Sequence, residues 1–148
     1  MARFLTRAKR AAEINGQVNV LITSSRKLRS LNRRFRHKDK ATDVLSFPSN
    51  TATEDFVGDI AISLDIAFDN AHRLGHAVAD ELKVLILHGI LHLAGHDHEA
   101  DNGKMARLEN LLRKELALPT GLIDRAHGKV GHSSAPRKRS TPRKQVTR

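Results

Sequence analysis

Cysteine, tryptophan and tyrosine are absent from this chain, and phenylalanine occurs five times in 148 residues. Without cysteine there are no disulfides and no thiolate ligands, so a metal site must be built from nitrogen and oxygen. So few aromatics argue against a broad base-stacking sheet, and contacts to nucleic acid would rest on phosphates and a groove. No apolar run reaches the ~18 residues of a membrane span. The first seven residues lack the continuous apolar core of a signal peptide. The expectation is a soluble, cytoplasmic protein with no membrane partner. Its length suits one domain, residues 1–124, with a single core and a tail.

Acid is scarce at both ends. Residues 1–40 carry twelve Lys/Arg against two acids, residues 125–148 carry eight against none, and 41–124 are net acidic. Basic blocks of this kind favour a polyanion, nucleic acid first. From residue 125 the apolar periodicity stops, and 125–148 reads as a disordered basic tail.

Histidine is plentiful in one place. Residues 88–98 read H-G-I-L-H-L-A-G-H-D-H and hold four of the nine histidines. His88 and His92 are four apart in an apolar run, so a helix stacks them on one face. Gly95 stands where a residue at positive φ ends that helix. The chain can then turn back and bring His98 to the same point. Three neutral imidazoles make an open site for one zinc ion per chain, with a fourth position for water. His96 neighbours the site but is not read as a ligand. Asp97 either orients a ligand imidazole from behind or caps the chain reversal. Zinc peptidases share this histidine spacing but carry a glutamate base after the first histidine. Here that position is Gly89, which disfavours peptide hydrolysis.

Periodicity predicts a helix over 2–14, ended by Asn15-Gly16, and a strand over 17–22. Ser24 or Ser25 caps a second helix over 25–36, marked by Leu28, Leu31 and Phe35 and otherwise cationic. Short strands follow at 44–47 and 57–63. Ser63 caps a helix over 64–74 that Gly75 stops. His72 and His76 read as surface residues. The motif helix begins at Asp80 or a turn earlier near Ala77, and it is apolar nearly all round, which marks a central, buried helix. A last helix spans 102–117 with Met105, Leu108, Leu111, Leu112 and Leu116 on one face. The fold is α+β: a small mixed sheet of about three strands, packed with helices, around that central helix.

The string at 88–98 resembles the signature of the YbeY family of bacterial endoribonucleases, which often has Tyr where this chain has His96. Residues 31–48, L-N-R-R-F-R-H-K-D-K-A-T-D-V-L-S-F-P, resemble the family's L-N-x-x-Y-R-x-x-D-x-x-T-D-V-L-S-F-P, with Phe35 for Tyr. The run G-D-I-x-I-S at 58–63 is also similar, and the resemblance covers roughly 3–118. Members commonly open with a further strand, so an upstream start is one reading of this N-terminus. The resemblance implies a zinc-dependent, single-strand-specific endoribonuclease. It implies action on ribosomal RNA precursors in 3′-end processing of 16S ribosomal RNA and in ribosome quality control, with the ribosome or small-subunit proteins as partners. It also implies a catalytic role for Arg36, whose planar guanidinium suits a phosphoryl group. Arg33, Arg34 and Lys38 are the candidate RNA contacts beside it. The alternative is a non-catalytic, zinc-containing ribosome assembly factor. Attack by the RNA's own 2′-OH and attack by water both remain open.

Overall fold

The computed structural model describes residues 1–50, 55–97 and 100–119. The elements run α1 (Ala2–Ala11), β1 (Gln17–Thr23), α2 (Ser25–Arg36), β2 (Val44–Pro48), β3 (Phe56–Ser63), α3 (Leu64–Leu74), α4 (Val78–Leu93) and α5 (Lys104–Glu115). The α+β expectation is borne out. The strands order β1-β3-β2, with β3 parallel to β1 and antiparallel to β2.

Helix starts follow side-chain chemistry. Ser24 accepts the backbone N–H of Lys27 and Ser63 that of Ile66, each at 3.1 Å, satisfying donors that a helix leaves open. Hydrogen bonds from Ser25, with help from Ser63, hold the Asp65 carboxyl below its ordinary range and tie the starts of α2 and α3 together. α1 stops sooner than its apolar pattern suggests. Glu13 takes a left-handed conformation, φ 60°, and Ile14 N–H turns back to the Lys9 carbonyl at 2.9 Å. Of the two starts for α4 the earlier one holds, with Ala77 as the extended residue before it.

The alternation of each strand divides the core. Val18 on β1 and Ile60 and Ile62 on β3 face the main cluster, which Phe4 and Ala8 of α1, Ala67 of α3, most of α4, and Met105 and Leu112 of α5 complete. Leu45 and Ala61 point the other way, onto Leu28 of α2, with Leu31 and Phe47 at the margin. α4 is buried from Val84 to Leu91, as a helix apolar nearly all round should be. On α5 the apolar face differs from expectation. Leu111 is exposed, and Glu109 is buried between Met105 and Leu112.

Two glycines set how closely α4 lies on the sheet. A Cβ on Gly89 would stand 3.0 Å from two carbons of Ile60, which is fully buried. A Cβ on Gly58 would stand 2.5 Å from the Phe47 carbonyl and 2.7 Å from a Leu93 methyl. Ser46 on β2 adds a hydrogen bond, its hydroxyl donating to the Gly89 carbonyl at 3.1 Å. The C-terminal half of α4 is thus clamped at the end of the sheet where Pro48 pairs with Gly58.

In an exposed helix Gly→Ala gains about 1 kcal/mol. Against Ile60 the sign reverses, because overpacking costs about 1–3 kcal/mol. Gly89→Ala should lower the urea midpoint by the equivalent of about 1–2 kcal/mol. The loss should shrink in an Ile60→Val background, where a methyl is removed at the contact. A Gly89→Ala chain more stable than the parent would show that Ile60 yields freely.

Candidate functional site

His88 and His92 sit one turn apart in the last part of α4, the first buried and the second half-buried. The helix closes through Gly95, φ 99°. Gly95 N–H donates to the His92 carbonyl at 3.0 Å and His96 N–H to the Leu91 carbonyl at 3.1 Å, the paired bonds of a left-handed glycine terminus. That reversal lays the His96 carbonyl against the His92 ring, 3.0 Å from Nδ1. A carbonyl can only accept, so Nδ1 of His92 carries the hydrogen. On the other histidine, Nδ1 lies 2.8 Å from Oε2 of Glu109 on α5. An ionised carboxylate likewise only accepts, so His88 donates from Nδ1.

With both rings neutral, each imidazole then presents the lone pair of Nε2, and the two Nε2 atoms stand 3.2 Å apart. Two such lone pairs repel unless a cation or a shared proton lies between them. Two nitrogens on a tetrahedral zinc at about 2.0–2.1 Å are separated by about 3.3 Å. The donor pair fits that ion. Among the described residues no group of three candidate ligands stands together. His98, the third histidine of the motif, lies outside the described residues.

Arg36, exposed, closes α2, the helix that packs on the face of the sheet opposite α4. Its neighbour Phe35 meets Phe47 of β2 edge to face, with centroids 5.5 Å apart. Phe47 pairs with Asp59 close to the Pro48 end of the sheet. The last turns of α2 and α4 thus approach the same Pro48 end of the sheet, where Leu93 lies against Gly58. Arg34 lies 5.7 Å from the Phe35 ring centre. Arg33 is 3.7 Å from Asp39, which Arg29 grips through two nitrogens at 2.8 and 3.2 Å. Those Arg29 hydrogen bonds hold the Asp39 carboxyl below its ordinary range. Lys38 is exposed, and its backbone N–H reaches the Asn32 carbonyl at 3.2 Å. Buried Asn32 donates to the Lys40 carbonyl at 3.0 Å, so it pins the basic loop after α2.

Asp97 sits exposed in the turn, its carbonyl accepting Ala100 N–H at 3.1 Å. His96 contributes through its main chain. The reading of His72 as a surface residue holds, but His76 is largely buried. Its Nε2 lies 2.7 Å from fully buried Glu81, which Asn70 also reaches at 3.2 Å, and the cluster fastens the α3–α4 turn.

Glu109 is the site residue that sequence reasoning passed over. One signal was present: an acid four residues after Met105 and three before Leu112, on the stripe that should be apolar. A buried carboxylate needs a partner, and His88 is one. Long-range nitrogen NMR should show His88 and His92 as Nδ1–H tautomers. Glu109→Gln should keep the His88 tautomer through its amide oxygen. Glu109→Leu should release it and cost about 1–3 kcal/mol, because a buried donor loses its acceptor. An unchanged His88 spectrum in Glu109→Leu would remove Glu109 from the site.

The comparisons with known proteins point to one family. The profile of the family described as Endoribonuclease YbeY matches residues 1–117. Two similar relatives bear the same name. One, from Koribacter versatilis, is 56% identical over 98% of this chain and 90% of its own length. The other, from Solibacter usitatus, is 50% identical over 83% of this chain and 82% of its own. The solution structure of a Thermotoga maritima protein is 30% identical, covers 93% of each chain and superposes with a TM-score of 0.52. Two long motifs, a family profile spanning nearly all the described residues and relatives at half identity lead to one statement: this chain belongs to the YbeY family of endoribonucleases.

Proposed function

We propose that this chain is a zinc-dependent endoribonuclease, specific for single strands, that acts on ribosomal RNA precursors. Its work would be 3′-end processing of 16S ribosomal RNA and ribosome quality control in the cytoplasm, in contact with the ribosome or small-subunit proteins. The supporting observation is the pair of Nε2 atoms 3.2 Å apart, with each Nδ1 occupied from behind. Rings held in this way are oriented in advance toward a shared ion. His88, His92 and His98 would hold one zinc per chain. Asp97, next to His98 in sequence, would support that ligand. When bound, the ion supplies Lewis acidity at a phosphoryl oxygen and at water.

The chain's own residues do the rest. Arg36 would set its guanidinium on the scissile phosphate, where negative charge builds in the transition state. Arg33, Arg34 and Lys38 would hold the backbone on either side. Arg34 and Arg36 make no ion pair among the described residues, whereas Arg33 already leans toward Asp39. Position 89 supplies no general base, and Ile60 leaves no room for one there.

The first test is metal content with activity. Elemental analysis should find one zinc per purified chain, and chelator should stop cleavage of ribosomal RNA. His92→Ala should lose stoichiometric zinc while His96→Ala keeps it. Full zinc in His92→Ala would end the ligand assignment, and a zinc-loaded parent that cuts no RNA would favour an assembly factor. Arg36→Ala should lower kcat by about 10²–10³-fold with RNA affinity little changed. Arg36→Lys should recover little, since an ammonium makes no planar two-pronged contact. Cleavage by zinc-loaded Arg36→Ala at the parent rate would make Arg36 an ordinary solvated cation.

Residues 125–148 lie outside the described residues. With eight cations and no acid, they should add affinity without specificity. Removing them should flatten the fall of log K with log salt. An unchanged slope would show that the tail takes no part.

A further inference from the structure

Phe35 is 57% exposed. An exposed phenylalanine adds little to a core, and on a helix flank that is otherwise cationic a polar residue would be the ordinary choice. Its ring is nevertheless held. Phe47, anchored in β2, meets it at 5.5 Å with the planes 67° apart. The Arg34 guanidinium lies 5.7 Å from its centre. Arg33, Arg34, Arg36 and Lys38 surround it in sequence, at the end of the sheet that also carries His92.

Phe68 supplies the comparison. It is exposed to a similar extent, 60%, but it borders a groove with Asp65 and Asp69. Acid there repels phosphate, whereas cations around Phe35 attract it. The two rings differ in charge setting rather than in exposure.

We propose that the exposed Phe35 ring is a stacking seat for one unpaired base of the RNA, fixing the strand so that the neighbouring phosphate falls to Arg36. This rests on RNA being the substrate. Any base offers a π-face, so the seat is tolerant of sequence. Paired bases have no face to give, so it selects single strands over duplex. Its rigid ring loses little freedom on binding. Phe35 is thus a positioning residue, and strand selectivity is built into α2 rather than into the histidine site.

The absence of tryptophan and tyrosine gives a direct test on the full chain. Phe35→Trp creates the sole tryptophan at the seat, and Phe68→Trp creates it at the acidic groove. A short single-stranded oligoribonucleotide should quench the first saturably. An abasic strand of the same length and charge should not, nor should a duplex, and Phe68→Trp should stay unquenched throughout. In parallel, Phe35→Ala should weaken single-strand binding by about tenfold, measured by anisotropy of labelled RNA. Duplex affinity and Tm should hardly move, and Phe35→Tyr should bind as the parent does. Quenching of Phe35→Trp by the abasic strand as strongly as by RNA would overturn the seat, as would equal single-strand affinity for Phe35→Ala and the parent. A parent chain that binds no RNA at all would overturn the underlying substrate reading and this inference with it. A parent that binds and cleaves while Phe35→Trp stays bright would overturn the seat alone.

Discussion

The seat of α4 on β3 governs the rest of this structure. At Gly89 the helix comes so close that one methyl group would touch Ile60. Close approach makes α4 the centre of the core and fixes its last two turns against the sheet. It also decides what chemistry is possible there. A helix that has given up its side chain at position 89 cannot carry an acid beside His88. The carboxylate of the site therefore comes from another helix, through Glu109 of α5, and lies behind the ring rather than in front of it.

The three-stranded sheet separates the two groups that the proposed reaction needs. Histidines belong to the α4 side, where His88 is buried and His92 half-buried. Arginines belong to α2 on the other side, where water and ions reach them. Bringing all of these cations and the candidate zinc site together on one face would add strong repulsion between like charges. Keeping them on two faces that meet only at the Pro48 end of the sheet reduces that cost.

Much of this was legible beforehand. Ser24, Ser63, Gly75 and Gly95 all act where their types predict, because caps and left-handed glycines are local matters. The burial of α4 followed from apolar residues all around it. What could not be read depended on partners distant in sequence. Glu109 looks like an error on an apolar stripe until His88, twenty-one positions away, is placed beside it. His76 looks like a surface residue until Glu81 is seen to be fully buried. The stop of α1 at Ala11 was missed because the left-handed residue is Glu13, a type that gives no warning. The face on which α2 lies was also unreadable, since Leu28 and Leu31 suit either side of a sheet.

The left-handed turn at Gly95 uses residue 96 through its carbonyl and N–H alone. Any side chain that tolerates the turn keeps both, so the identity of residue 96 matters little toward the His92 ring. That leaves position 96 chemically unassigned while lying a few ångströms from the centre of the site. It is the natural address for a spectroscopic label or an unnatural side chain, one that watches the site without altering the groups that form it.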